Sequence, residues 1–172
     1  MIKGGKGGAN TQTGLRFEER INLATALNAL PDYQVIGDDV FYKNESVAQL
    51  FSKNKLYKNL CKLKGINHVS YISKKLLPDE AILVGNTLFI IEMKFQYVAG
   101  SVDEKLQTCH FKKRQYTKLF SDIDINVEYI YVLNDWFKKP EYRDVLEYIS
   151  EVGCHYYFNE IPLKILGLSN AI

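Results

Sequence analysis

Three charged side chains near the middle of the chain have the types and the spacing that metal-assisted hydrolysis needs. They are Asp79, Glu92 and Lys94, within residues 77–96. Mg²⁺ is a hard ion that takes one or two carboxylates and completes its coordination with waters and substrate phosphate oxygens. A metal held in this way polarises a phosphate and lowers the pKa of a bound water. This chemistry requires the three side chains to meet at one point.

A β-hairpin is the element that can bring these side chains together. Two apolar, β-branched runs at residues 80–84 and 87–93 flank the dipeptide Gly85-Asn86. The dipeptide is a two-residue hairpin signal, with glycine where a type II′ turn needs a positive φ. The turn sets the register of the two strands, and in that register the two acidic residues face each other.

Alternation of side chains along a strand places Lys94 on the same face as Glu92 and Asp79. Like charges directly opposed in a sheet repel, and burying carboxylates unpaired costs more, so the pair needs compensation. Two arrangements supply it: a divalent cation between the carboxylates, or a structural ion pair between Lys94 and Glu92. Gln96 lies on the same face, where its amide holds a water or phosphate oxygen, or else satisfies the strand end.

The motif formed by Pro78-Asp79, a gap and then Glu92-Met93-Lys94 resembles that of the PD-(D/E)xK nuclease superfamily. Gln96 and residues 100–107 are similar to the segment after this motif in many small type II restriction endonucleases. The resemblance implies that Asp79 and Glu92 bind Mg²⁺, for which Mn²⁺ can substitute. It also implies that Lys94 orients or deprotonates the attacking water.

A further acidic residue beside the metal is implied by the same resemblance. Many similar nucleases supply it from their first helix, and residues 15–30 have the apolar spacing of a helix that ends at Pro31. By this resemblance, Glu18 is expected to be that residue. Glu19 borders the apolar stripe on its other side, and both glutamates also favour the positive end of a helix dipole.

Length and composition predict a single globular domain. The chain has 172 residues, of which 47% are hydrophobic and 24% charged. No apolar run approaches a membrane span and the N-terminus lacks a secretory signal, so a cytoplasmic location is the default expectation. The three cysteines are far apart and lack metal-ligand spacing, so we expect them to be reduced and structural.

A lysine-rich segment predicts contact with a phosphate backbone. Between Glu45 and Asp79 the sequence has no acidic residue and seven lysines interleaved with aromatic residues. The alternative is a solvated helix face. The lysines are Lys53, Lys55, Lys58, Lys62, Lys64, Lys74 and Lys75.

Two further regions are predicted to contact DNA. Residues 1–14 have four glycines among the first eight and form a flexible basic arm, which either orders on DNA or is a frayed terminus. Ser101 is the expected N-cap of a helix over residues 102–120, with Lys105 in its first turns. Since helix N-termini bind phosphate, Ser101 and Lys105 are expected to grip the DNA backbone, although plain capping needs no DNA.

The remaining patterns complete an α/β arrangement. They predict one bent or two short strands over residues 33–42, one or two helices over 46–64, and a strand or loop over 68–76. A buried strand is predicted over 126–133, a helix over 141–152 and a short strand over 154–158. Residues 15–172 form the nuclease domain, with a lysine-rich helical insertion at 45–76.

The predicted fold is a restriction-endonuclease-like core with a central mixed β-sheet flanked by helices. The predicted function is Mg²⁺-dependent, sequence-specific cleavage of double-stranded DNA by a type II restriction enzyme that leaves 5′-phosphate ends. The expected partners are DNA, a second copy in a homodimer, and a separately encoded DNA methyltransferase. The alternatives are a repair or junction-resolving nuclease, the cleavage subunit of a heteromeric enzyme, an RNA-directed protein, and a DNA-binding module whose carboxylates are structural.

Overall fold

The structure, a computed structural model, describes residues 14–18 and 21–168. The predictions for the arm at residues 1–13 and for Glu19 lie outside this part of the chain. The strands of the described residues are β1 (Gly14–Arg16), β2 (Tyr33–Ile36), β3 (Asp39–Tyr42), β4 (Glu45–Leu50), β5 (Glu80–Val84), β6 (Thr87–Lys94), β7 (Asn126–Leu133), β8 (His155–Phe158) and β9 (Glu160–Pro162).

Four α-helices and one π-helix accompany these strands in the described residues. The α-helices are α1 (Leu23–Asn28), α2 (Val102–Leu106), α3 (Cys109–Leu119) and α4 (Arg143–Glu151), and the π-helix is Leu56–Cys61. Short 3₁₀ turns lie at His68–Ser70, Asp135–Lys138, Pro140–Tyr142 and Leu163–Leu166.

A seven-stranded mixed sheet, in the order β2-β3-β4-β5-β6-β7-β8, is the framework of the described chain. Neighbouring strands from β2 to β6 are antiparallel, whereas β6, β7 and β8 run parallel. The helices α2 and α3 connect β6 to β7, and α4 connects β7 to β8, because parallel strands need a long crossover. The prediction of an α/β fold with a central mixed sheet flanked by helices is confirmed.

Each face of the sheet carries its own hydrophobic core. On one face, Leu88 and Ile90 of β6 pack in a cluster with residues of α3 and the π-helix. On the other, Phe89 and Ile91 pack with residues of α1 and the C-terminal turn. Since side chains alternate along β6, Glu92 continues the row that faces α3.

The predicted helix over residues 15–30 is wrong in its first half. Leu15 and Phe17 are buried while Arg16 and Glu18 are exposed, so the apolar residues alternate as in a strand. Residues 14–16 form β1, which pairs with β9. The helix begins only after Asn22, whose side-chain oxygen accepts a hydrogen bond from the N–H of Thr25 at 2.8 Å.

The predicted helix over residues 46–64 is also wrong in its first part. Residues 45–50 form β4, which lies between β3 and β5 in the central sheet, and the lysine-rich segment follows this strand. Lys43 and Asn44 join β3 to β4 with φ of 49° and 68°. Two positive φ values match a type I′ turn, which the pair Lys-Asn signals far less strongly than Asn-Gly.

The predicted helix over residues 102–120 is divided in two. The Thr108 hydroxyl donates to the Lys105 carbonyl at 2.7 Å, and this local side-chain bond accompanies the break between α2 and α3. Ser101 is at the N-cap position of α2, but its side chain makes no capping hydrogen bond. The expected capping by Ser101 is therefore wrong, although the start of the helix is correct.

The other predicted elements agree with the structure to within two residues. Residues 33–42 form two short strands that turn at Gly37, which has a φ of 62°. The strand over 126–133 is confirmed in full, and the last predicted helix and strand become α4 and β8. Residues 68–76 contain a single 3₁₀ turn and no strand.

Candidate active site

The β5–β6 hairpin brings Asp79, Glu92 and Lys94 together, as the turn predicts. Gly85 has a φ of 59°, and the observed pairing of Glu80 with Ile91 places Asp79 opposite Glu92. Lys94 Nζ lies 3.0 Å from Glu92 Oε2 and 3.6 Å from Asp79 Oδ2. The ammonium of Lys94 therefore bridges the two carboxylates.

A second lysine contacts the same carboxylate. Lys112 Nζ of α3 lies 3.1 Å from Glu92 Oε2, the oxygen that Lys94 also contacts. The Glu92 side chain is only 6% exposed, whereas those of Lys94 and Lys112 are 17% and 24% exposed. The cluster thus contains two carboxylates and two ammoniums, and its formal charges balance.

The position of Lys112 on α3 explains its place in the cluster. The face of α3 that packs on the sheet carries Cys109, Tyr116 and Leu119, all buried. Residues three or four apart share a helix face, so Lys112 lies in the same row as Cys109 and Tyr116. A lysine within an apolar helical stripe was the signal in the sequence for this contact.

Two carboxylate oxygens of the cluster remain available to a ligand. Met93 N donates to Asp79 Oδ2 at 3.0 Å, and both ammoniums contact Glu92 Oε2. Within residues 14–18 and 21–168, Asp79 Oδ1 and Glu92 Oε1 accept no hydrogen bond. Nor does a group of three or more His, Cys, Asp or Glu side chains come together there. This donor set fits a hard cation that keeps water and substrate oxygens as further ligands.

Gln96, just after the end of β6, is buried with an amide that has no hydrogen-bond partner among the described residues. It follows β6 by two residues and is 5% exposed, and neither Nε2 nor Oε1 makes a hydrogen bond within the described chain. Its backbone is held by Asn134, whose Oδ1 accepts from Gln96 N at 3.2 Å and whose Nδ2 donates to Gln96 O at 2.8 Å. Asn134 therefore joins the ends of β6 and β7 and fixes Gln96 in place.

Tyr116 lies in the core beneath the cluster. Its hydroxyl is buried and has no hydrogen-bond partner among the described residues. Burial raises the pKa of Tyr116 most, and the neighbouring Tyr57 and the carboxylates of Glu92 and Asp79 raise it further. The α3 side of Glu92 is thus a poorly solvated environment in which charges interact strongly.

Glu18 lines a cavity near the ends of β6 and β7. It is exposed and, with Phe17, Phe95 and Asn134 among its neighbours, lines a cavity of about 320 Å³. Phe95 packs on the core that faces α1, opposite the face of Glu92. Within the described residues no hydrogen bond or ion pair joins Glu18 to Asp79, Glu92 or Lys94, and the role of Glu18 beside a metal stays a prediction.

Glu80, a buried carboxylate next to Asp79, was not anticipated from the sequence. It is 8% exposed, and its Oε1 accepts a hydrogen bond from the backbone N–H of Leu23 at 3.3 Å. Burial raises the pKa of Glu80 most, the Leu23 hydrogen bond opposes this, and the charge of Asp79 adds to it. Glu80 ties the first turn of α1 to the hairpin.

The lysines predicted to contact DNA are exposed. Lys55 is paired with Asp38, and Lys75 Nζ lies 5.2 Å from the centre of the Tyr57 ring. Ser101 and Lys105 are also exposed. Among the described residues, no ion pair engages the other lysines of the segment, which are Lys53, Lys58, Lys62, Lys64 and Lys74.

Comparison of the chain with protein-family models, with curated proteins and with solved structures finds no match. None of the helices in the described residues has the length and apolar character of a membrane span.

Proposed function

We propose that the protein is a Mg²⁺-dependent endonuclease that hydrolyses phosphodiester bonds of double-stranded DNA. The observation that carries this proposal is the contact of Lys94 with both Asp79 and Glu92 at the end of the hairpin. Each of the two carboxylates has one oxygen that accepts no hydrogen bond from the described residues, and with the ammonium beside them they form a site suited to a metal, a water and a phosphate. The resemblance to the PD-(D/E)xK motif supports the same activity.

In this mechanism the residues of the chain have separate roles. Asp79 and Glu92 would hold Mg²⁺, which supplies a positive charge that polarises the phosphate and acidifies a bound water. Lys94 orients the attacking water, and Gln96 offers a water or phosphate oxygen its amide, which no other described residue engages. The water oxygen bonds to phosphorus, the bond from phosphorus to the 3′ oxygen breaks, and 5′-phosphate and 3′-hydroxyl ends result.

The exposed lysines of the segment after β4 supply the contact with the phosphate backbone in this proposal. Ser101 and Lys105 would add contacts near the cut. We further propose a type II restriction enzyme that acts as a homodimer, because cutting both strands takes two active sites. A cognate DNA methyltransferase would then protect the host DNA.

Digestion of a plasmid with and without Mg²⁺ tests this proposal. Discrete fragments that require Mg²⁺ are the expected result for a restriction enzyme. Smearing would point instead to nonspecific cleavage, as in a repair nuclease. Sequencing the ends of the fragments would then give the target and the cut position.

Asp79→Ala and Lys94→Ala are each expected to abolish cutting while leaving DNA binding within about threefold, because the backbone contacts lie elsewhere. Cleavage rates and gel retardation measure the two effects. Lys118→Ala, an exposed lysine of α3, is the control and should cut like the wild type. Cleavage retained by either site variant would refute the mechanism.

A DNA-binding module without catalysis is the second candidate. The observation that favours it is the charge balance of the cluster, in which two lysines already neutralise both carboxylates. Such a protein would retard DNA in a gel and leave it intact in Mg²⁺ and in Mn²⁺.

A further inference from the structure

Lys112 is a charged residue of the cluster to which the proposed mechanism gives no role. Its ammonium and that of Lys94 contact the same oxygen, Glu92 Oε2, at 3.1 and 3.0 Å. Two cations on one oxygen repel each other, and the arrangement persists only while both carboxylates remain negative and unligated.

A divalent cation would upset this balance. It adds two positive charges to a cluster whose formal charges already cancel, next to a carboxylate that is 6% exposed. An uncompensated charge in such a poorly solvated place is unfavourable, so an ammonium must move away or an anion must arrive.

Of the two lysines, Lys112 is the one that can leave. Lys94 contacts both Glu92 and Asp79, whereas the only carboxylate that Lys112 contacts in the described chain is Glu92. The Lys112 side chain is also the more exposed of the two, at 24% against 17%. Its flexible four-carbon stem lets the ammonium swing outwards without movement of α3.

We propose that Lys112 is an internal counter-ion that yields Glu92 to the incoming metal and then binds the phosphate of the substrate. A lysine ammonium is a point charge well suited to phosphate, and the phosphate supplies the anion that the metal-loaded cluster needs. This role deepens the proposed function and rests on it. Metal and phosphodiester then bind cooperatively, because each removes the charge imbalance that the other creates.

The variant Lys112→Met tests the displacement, because it removes the ammonium and keeps most of the side-chain volume. Titration of Mn²⁺ into the DNA-free protein by calorimetry should show about tenfold tighter binding than in the wild type, since the competing charge-assisted hydrogen bond is gone. A short duplex in saturating Ca²⁺ should bind about tenfold more weakly, because a phosphate contact is lost.

Two further variants separate this effect from a general change of charge or fold. Lys118→Met makes the same charge change on an exposed part of α3 and should leave both affinities within about twofold of the wild type. Lys112→Arg keeps the positive charge and should keep Mn²⁺ binding weak. Circular dichroism and thermal melts establish that each variant is folded.

Each outcome of these titrations supports or overturns one part of the role proposed for Lys112. Equal Mn²⁺ affinity in Lys112→Met and Lys118→Met would overturn the displacement, and the proposed nuclease would stand if the wild type still cuts DNA. Tighter Mn²⁺ binding with unchanged duplex affinity would overturn the phosphate contact. Folded wild type and Lys112→Met that both bind no Mn²⁺ at millimolar concentration would refute the metal site and this inference together.

Discussion

At the scale of single residues, the two oxygens of each carboxylate in the cluster differ in the hydrogen bonds that they accept. Glu92 Oε2 and Asp79 Oδ2 accept all the hydrogen bonds that the described residues give to these carboxylates. The other two oxygens are left for a ligand. The buried Gln96 amide and Tyr116 hydroxyl have no hydrogen-bond partner in the described part of the chain, and such groups are rare in folded proteins and mark a site or an ordered water.

Tyr116→Phe should leave the free energy of unfolding unchanged or raise it by up to about 1 kcal/mol, because it removes a buried hydroxyl to which no described residue gives a hydrogen-bond partner. Tyr131→Phe is the matched control, since the Tyr131 hydroxyl donates to the Lys105 carbonyl at 3.1 Å. The free energy of unfolding of Tyr131→Phe should be lower than that of the wild type by about 1 kcal/mol. Urea denaturation measures both. An equal loss in the two variants would mean that Tyr116 has a water partner.

Glu80→Gln should stabilise the protein at pH 7, because it removes a buried charge while the amide oxygen still accepts from Leu23 N. The pKa of Glu80 is raised in the folded state, so wild-type stability falls as pH rises from the ordinary value of 4.5 through the raised pKa. The advantage of the variant should therefore vanish below pH 4.5 and reach a plateau above the raised pKa.

Chemical denaturation of Glu80→Gln and wild type across this pH range measures the difference. Asp122→Asn, at an exposed carboxylate bonded to Tyr71, is a control with the same chemical change. A Glu80→Gln advantage that grows towards acid pH would contradict the assigned direction of the pKa.

At the scale of elements, the residues that precede α1 fit two predictions from the sequence, a helix and a strand. Leu15 and Phe17 fit both a helical stripe and strand alternation, and pairing of β1 with β9 decides for the strand. Pairing partners distant in the sequence are invisible to local periodicity. The hairpin could be predicted because its register depends only on a turn at Gly85.

Asn22→Ala should cost about 1 kcal/mol of stability, because Asn22 caps α1 through the N–H of Thr25. In a helix over residues 15–30 the same change would be interior and would stabilise instead. Asn67→Ala is the control, since Asn67 precedes a 3₁₀ turn without a side-chain capping bond. Thermal melts measure the stability of both variants. An Asn22→Ala variant more stable than the wild type would favour the helix predicted over residues 15–30.

Only the part of the candidate site that lies on the hairpin could be predicted from the sequence. Asp79, Glu92 and Lys94 were identified because one turn and strand alternation relate them. Lys112 was missed because its contact depends on how α3 docks on the sheet. The strand β4 was missed because Val47 and Leu50 also have helical spacing, and a Lys-Asn turn is a weak signal.

At the scale of the whole molecule, Lys58 and Lys164 are exposed lysines of elements that pack on opposite faces of the sheet. The π-helix, which carries the exposed Lys58, packs on the core that faces α3 and Glu92. Lys164 lies in the C-terminal turn, which packs on the other core. Lys58 and the cluster are thus on the same face of the sheet, and Lys164 is on the other.

Lys58→Ala should reduce the slope of log affinity against log salt for DNA by about 0.9, because each phosphate contact releases condensed counterions. Lys164→Ala removes the same charge from the other face and should leave the slope unchanged. Fluorescence anisotropy with a labelled duplex at several salt concentrations measures both slopes. Equal changes in the two variants would mean that total charge, and not this surface, governs binding.

The hydrogen bond from the Met93 amide to Asp79 gives the protein a built-in spectroscopic reporter. This N–H points at a side-chain carboxylate and not at a strand carbonyl, with a distance of 3.0 Å. Its nuclear magnetic resonance frequency therefore follows the electron density on Asp79. A proton or a cation arriving at that carboxylate shifts one backbone signal, and occupancy can be followed without any attached dye.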